Sequence, residues 1–258
     1  METVLDLQSV TKDFVLGGVF KKAHRRAVDN VSLTVGRNEV HGLVGESGSG
    51  KSTLGRIAIG LIRPTKGSVN VLGTDISTLK GKELREYRRK MQMIFQDSSN
   101  SLNPRMTLQD LLEEPLKVQG LYDQAERTRR AKALADEVEL SQKWMRRLPH
   151  EFSGGQRQRI SIARALALEP ELIVADEPVS ALDVSVQATV LNLLKSIQEE
   201  RHLSMVFVSH DMAVVEFMSD RVTVLLDGRV VESGNAKEIF ASPSSAYTRT
   251  LLAAAPSL

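Results

Sequence analysis

The chain has 258 residues, of which 41% are hydrophobic and 26% charged, with a formal net charge of +2 and no cysteine. That is enough apolar content for one large α/β domain or two small ones, and too mild a charge to argue for nucleic acid by itself. Without cysteine, a disulfide scaffold, a thiolate zinc site, a cysteine-ligated iron–sulfur cluster and a cysteine nucleophile are excluded, which fits a reducing cytosol.

The start, Met1-Glu2-Thr3-Val4-Leu5-Asp6, is acidic and lacks the apolar core of a signal peptide. No run approaches the roughly 18 apolar residues that span a bilayer. Val4–Val10 and Val31–Val35 alternate apolar and polar residues, as half-buried strands do. Between them, Gly17 to Arg26 turns from glycine to basic residues and reads as a solvated loop, or as a contact for anionic headgroups or a partner. His41–Val44 reads as a buried strand, Ser52 to about Leu61 as a helix, and Pro64 with Gly67 as a turn. Lys82–Arg89 reads as helix and Met91–Phe95 as strand. From Leu108 to Leu148 the pattern is helical, a helical insertion in an α/β frame. Leu172–Ala175 and Met205–Val208 read as buried parallel strands. Arg221–Leu226 and Arg229–Glu232 flank Asp227-Gly228, a hairpin signal.

Three segments carry chemistry. Gly45-Glu46-Ser47-Gly48-Ser49-Gly50-Lys51-Ser52 fits G-x-x-x-x-G-K-[ST] between a predicted strand and a predicted helix, with Thr53 following. Its glycines let successive N–H groups turn toward phosphate oxygens, and the helix start adds its positive end. Lys51 is expected on the β- and γ-phosphates of a nucleoside triphosphate and Ser52 on Mg²⁺. Leu172-Ile173-Val174-Ala175-Asp176-Glu177 is an apolar strand ending in two acids, at the strand end where α/β sheets bind ligands. Asp176 is placed for Mg²⁺ or its waters, and Glu177 to polarise the attacking water as general base. Ser153 is a good N-cap for a helix that, after Gly154 and Gly155, runs without glycine or proline to about Leu168. The amides of Gly154 and Gly155 would make a second anion site at that helix start.

Phe152-Ser153-Gly154-Gly155-Gln156, followed by Arg157-Gln158-Arg159, resembles the L-S-G-G-Q signature of ABC ATPases, with phenylalanine where leucine is commonest. The resemblance implies a P-loop NTPase (RecA-like) α/β core with a parallel sheet, an N-terminal antiparallel β subdomain and an inserted α-helical subdomain, approximately residues 97–165. A C-terminal tail would follow from about residue 240 to 258. It implies that Ser153, Gly154, Gly155 and Gln156 cap the γ-phosphate of an ATP held by a second subunit, two ATP molecules lying between head-to-tail partners. Gln96 matches the loop glutamine that senses Mg²⁺ and the γ-phosphate and contacts the membrane subunit. Ser180-Ala181-Leu182-Asp183 resembles the D-loop, His210 the switch histidine, and Phe14 stands where an adenine-stacking aromatic is expected or is a core residue.

The stretch Gln96–Thr107, the residues from Asp176 to Ala188 and the tail with Pro243, Tyr247-Thr248, Leu251-Leu252 and Pro256 resemble the peptide and nickel importer branch. The usual proline before that tyrosine is missing, and the cysteines that bind an iron–sulfur cluster in some members are absent. The implied protein is an ATPase subunit with ATP and Mg²⁺. Its implied partners are a second, homologous ATPase chain, two permease subunits and, indirectly, an extracytoplasmic solute-binding protein, with no nucleic acid. Its implied place is peripheral, on the cytoplasmic face of the inner (plasma) membrane. Two other readings stay open: a non-transport ABC ATPase acting on nucleic acid or ribosomes, and a small-molecule kinase, which leaves Ser153–Gln156 unexplained.

Overall fold

The structure, a computed structural model, describes residues 2–16, 23–96 and 101–254. Two sheets organise it. The first is antiparallel, in the order β2-β1-β4-β5, from β1 (Thr3–Leu16), β2 (Ala23–Gly36), β4 (Lys66–Val71) and β5 (Thr74–Asp75). Leu5, Leu7 and Val10 of β1 and Val31 and Val35 of β2 are buried. They join Leu54, Ile57 and Ala58 of helix α1 (Lys51–Ala58) in one apolar cluster. Each such side chain contributes about 1.5–3 kcal/mol on full burial, so the helix that follows the phosphate cradle is seated on this sheet.

The second sheet has the order β10-β9-β3-β8-β7-β6. Its strands are β3 (Val40–Val44), β6 (Met91–Ile94), β7 (Leu172–Asp176), β8 (Ser204–Ser209), β9 (Arg221–Leu226) and β10 (Arg229–Asn235). β9, β3, β8, β7 and β6 pair in parallel. Every residue of β3, β7 and β8 is buried, as expected of strands covered on both faces. The edge strand β10 runs antiparallel to β9, as the expected hairpin at Asp227-Gly228 requires. Asp227 and Gly228 both have positive φ, 47° and 77°, which makes a two-residue turn and sends the chain straight back.

Helix α2 (Gly81–Tyr87) precedes β6, and between β6 and β7 lie α3 (Leu108–Val118), α4 (Gln124–Glu137) and α5 (Gly154–Leu166), which pack on one another. Thr107 and Asp110 form a capping box at the start of α3, and Asp123 caps α4. Glu113 of α3 is buried, yet its carboxylate accepts from Gln109, Thr128, Gln124 and Lys117 and so joins α3 to α4. The chain continues through α6 (Val184–Glu200), α7 (Met212–Met218), α8 (Ala236–Ala241) and α9 (Ala246–Ala254). Among the described residues no helix is long and apolar enough to cross a membrane.

Two local expectations need correction. Gly67 lies inside β4 and not in a turn; its φ of +88° and a virtual Cβ 2.5 Å from Gln8 O show that β1 approaches too closely for a side chain. The basic stretch is only partly a loop, since residues 23–26 belong to β2, where Asp13 and Asp29 hold Arg26. Residues 17–22, with Lys21 and Lys22, lie outside the described residues.

Candidate functional site

The cradle runs from the end of β3 to the start of α1. Gly50, at φ +102°, is the N-cap of α1 and supplies no side-chain cap, so the helix's first amides remain for a ligand. A Cβ on Gly50 would sit 2.3 Å from Ala27 O, so only glycine lets the antiparallel sheet come this close. From the other side the Asp227-Gly228 turn grips the same loop. Gly228 N donates to Ser49 O at 3.0 Å, and Asp29 N donates to Gly228 O at 2.8 Å.

Lys51 is buried and donates to Gly45 O and Glu46 O, each at 2.7 Å. Burial pushes its ammonium below the ordinary lysine value, against the pull of the Glu177, Asp176 and Glu46 carboxylates. A cation partly stripped of water and resting on two neutral carbonyls is ready to exchange them for phosphate oxygens.

A cavity of about 750 Å³ opens over the cradle. Gly45–Gly48, Gly50–Thr53, Gln96, Glu177 and His210 line it, together with Phe14, Arg25 and Leu251. Ser49 is buried behind the wall. Three side chains from the ends of three neighbouring strands meet at its edge: Gln96 Nε2 donates to Glu177 Oε2 at 2.8 Å, and His210 Nδ1 lies 3.3 Å from the same oxygen. Gln96 Nε2 also lies 3.5 Å from Ser180 Oγ. Glu177 sits at φ +47°, a left-handed conformation that costs a non-glycine residue about 1–3 kcal/mol. Its N–H bonded to Val208 O at 2.9 Å holds it there.

Asp176 lies beneath, 1% exposed, with Oδ1 lacking any hydrogen-bond partner. Burial raises its carboxyl above the usual range and Glu177 adds to this, while Ser52, Arg56 and Lys51 oppose it. Arg56 Nη2 is 3.6 Å from Asp176 Oδ2. A buried carboxylate with an idle oxygen beside a serine hydroxyl is the hard-oxygen donor set that Mg²⁺ takes, directly or through its waters.

The signature segment stands apart, and none of its residues lines this cavity. Ser153 is exposed and forms a capping box with Gln156: Ser153 N donates to Gln156 Oε1 and Gln156 N to Ser153 Oγ. Phe152 is buried in edge contact with Trp144, so the residue that departs from the usual leucine serves packing. Gly155 is buried, and a Cβ there would lie 2.4 Å from Val186 Cγ1, so the close packing of α5 on α6 requires glycine at this position. Ser180, Ala181 and Asp183 are exposed beside it, with Leu182 next to Gly154.

Sequence reasoning brings together Lys51, Ser52, Gln96, Asp176, Glu177 and His210; the structure gathers five of them in the wall of one cavity, with Asp176 buried beneath. It missed Arg25 and Leu251. Arg25 pairs with Phe14 across β1 and β2, a register that a run of basic residues does not reveal. Of the segment from Gln96 to Arg105, residues 97–100 lie outside the described residues.

The family model for ABC transporters matches residues 28–180. A Brucella ovis protein named as a peptide import ATP-binding protein is 54% identical over 237 residues, 92% of this chain and 75% of the relative. The oligopeptide transport ATP-binding protein AppF of Bacillus subtilis is 48% identical over 99% of this chain and 79% of its own length. Among solved structures, the ATP-binding cassette MJ0796, a dimer in a post-hydrolysis state with ADP and Pi, superposes with a TM-score of 0.80 at 35% identity, covering 90% of this chain and 98% of that one. A chain with this fold, this cradle, a paired-acid strand end and a serine–glycine helix start belongs to the ABC transporter family, as an ATP-binding and ATP-hydrolysing subunit.

Proposed function

We propose that this subunit drives peptide uptake, with ATP held by its own cradle and sealed by the Ser153–Gln156 helix start of a second, homologous subunit. The carrying observation is the separation of the two anion-facing helix starts. The cavity over the cradle receives no signature residue of its own chain, while Ser153 and the D-loop lie exposed. Relatives named for peptide and oligopeptide import support the cargo class.

Phe14 stacks on the adenine; Gly45 to Thr53 cradle the phosphates; Lys51 moves from its carbonyl perches to the β- and γ-phosphates. Ser52, Gln96 and Asp176 would hold Mg²⁺, which when bound neutralises charge on the β- and γ-phosphate oxygens. Glu177, oriented by Gln96 and His210, accepts the proton of the attacking water. Loss of the γ-phosphate removes the contact to the partner's signature, and the sandwich opens.

The helical arm that carries the signature is the expected segment 97–165, of which residues 101–165 are described, and the tail is the segment 240–258, described to residue 254. Two permease subunits receive the motion. Their docking face is the groove of about 350 Å³ beside Gln96, where Leu61, Phe95 and Val118 are exposed though apolar. The subunit works peripherally on the cytoplasmic face of the plasma membrane, and a solute-binding protein outside delivers the cargo.

The test is Glu177→Gln. General-base catalysis contributes about 10²–10⁴-fold, so turnover should fall by that factor while ATP is bound and an ATP-locked dimer accumulates on size exclusion. Near-normal hydrolysis, or a variant that stays monomeric with ATP, would remove Glu177 from the role.

A further inference from the structure

The C-terminal helix touches the phosphate cradle. Tyr247 of α9 accepts a hydrogen bond from Glu46 N through its hydroxyl at 3.2 Å. Gly45 O, on which Lys51 rests at 2.7 Å, belongs to the same peptide group as Glu46 N. One peptide plane is thus held from both ends, by a phenol at its N–H and by the ammonium of Lys51 at its carbonyl. Polarisation runs through such a unit, since an amide whose N–H donates is a better acceptor at its oxygen. The third side is closed as well: a virtual Cβ on Gly45 lies 2.2 Å from Leu225 O.

The helix is fixed in place. Glu232 of β10 accepts from Ser244 N and Ser244 Oγ on Oε1, and from Ser245 N on Oε2, which bind the entry to α9. Arg249 donates back to Pro243 O and Ser244 O. Thr248 is buried, Tyr247 and Leu252 pack on the main core, and Leu251 reaches the wall of the cavity over the cradle. Burial holds the Tyr247 phenol above its ordinary value, aided by the Glu46 and Asp227 carboxylates and opposed by the Glu46 N–H. It therefore stays a neutral hydroxyl at physiological pH. Tyr247 and the residues that fix its helix lie beyond residues 28–180, the part the family model matches.

We propose that Tyr247 is a positioning residue of the nucleotide site: its hydroxyl sets the Gly45–Glu46 peptide on which Lys51 waits, and so sets the affinity for the triphosphate. This rests on the reading that ATP occupies this cradle. With the hydroxyl present, the loop enters binding already ordered, and Lys51 has only to trade carbonyls for phosphate. Without it, the peptide can rotate, and binding must order the loop as well.

The experiment compares Tyr247→Phe with the parent on a Glu177→Gln background, which binds ATP without turning it over. Phenylalanine keeps the ring and removes one hydrogen bond. ATP affinity should fall about three- to tenfold. The Glu46 amide resonance should shift, and the melting temperature without nucleotide should move little. A role confined to packing predicts the reverse, a lowered melting temperature with affinity unchanged. An affinity within twofold of the parent together with an unmoved Glu46 amide overturns the proposal. Should Tyr247→Phe fail to fold, hydrogen exchange in the otherwise unaltered chain decides: slow exchange at Glu46 supports the bond, and exchange at the rate of an open loop refutes it. Lys51→Ala is run in parallel. If it binds ATP like the parent, the cradle reading itself fails; if binding collapses while Tyr247→Phe is silent, only the role of Tyr247 is lost.

Discussion

Gly154→Ala separates what holds this chain together from what it does with a partner. Gly154 is the first residue of α5 and is not among the residues at positive φ, so its backbone accommodates alanine. A Cβ there would meet only Leu182 Cδ2, at 3.4 Å, an ordinary contact. Replacing a helical glycine with alanine gains about 0.5–1 kcal/mol, which for a chain of this size raises the melting temperature by up to about 2–4 °C. ATP binding to the isolated subunit should not change, because the cavity over the cradle is lined without this residue. In the dimer proposed above, the added methyl would stand where the partner's γ-phosphate approaches. Losing one charge-assisted hydrogen bond there costs about 1.5–3 kcal/mol, or about 10- to 150-fold in turnover. The assay pairs differential scanning fluorimetry and ATP titration of the subunit with phosphate release by the assembled complex. Full hydrolysis by that complex would refute the trans-acting role, and a large drop in melting temperature would refute the packing assessment.

Two further outcomes follow from the charges around the cavity. Asp176 has its folded pKa raised by burial, so the stability it supports is fully present below its unfolded value, about 3.9. That stability is lost as pH rises through the raised value. Asp176→Asn should therefore melt higher than the parent at pH 7.5 without nucleotide, the gap closing on acidification toward pH 4, while Mg²⁺-dependent hydrolysis disappears; equal melting curves at both pH values would contradict the burial cost. Arg25 has no carboxylate partner among the described residues and faces the cavity beside Phe14. Arg25→Gln should raise the KM for ATP about two- to fivefold at low ionic strength, with kcat little changed and the difference fading in high salt; a KM that does not move at low salt would place its guanidinium away from the nucleotide.

Local patterns carried most of the site. Lys51, Asp176, Glu177 and His210 each follow an apolar strand whose carboxyl end faces the cavity, and a strand end is legible from a run such as Leu172–Ala175. Ser153 and Gln156 advertise a helix start by spacing alone, and the capping box is there. What stayed hidden depends on register and on distance along the chain. Arg25 looked like one more solvated cation because its neighbour Phe14 is eleven positions away and meets it only through strand pairing. Tyr247 lies 201 positions from Glu46. Glu113 reads as a surface acid in a charged helix, yet four donors from α3 and α4 allow it to be buried. Gly67 after Pro64 has the spacing of a turn, while the bulge at Ser9 that requires this glycine sits on another strand.

The bonds from Gly228 to Ser49 and from Asp29 to Gly228, with Gly50 pressed on Ala27, weld three parts of the chain at one point. The antiparallel sheet, the cradle and the far hairpin cannot slide against one another without breaking that junction. Any displacement that accompanies phosphate loss would therefore carry these three parts together. The nucleotide end of the machine is an anvil.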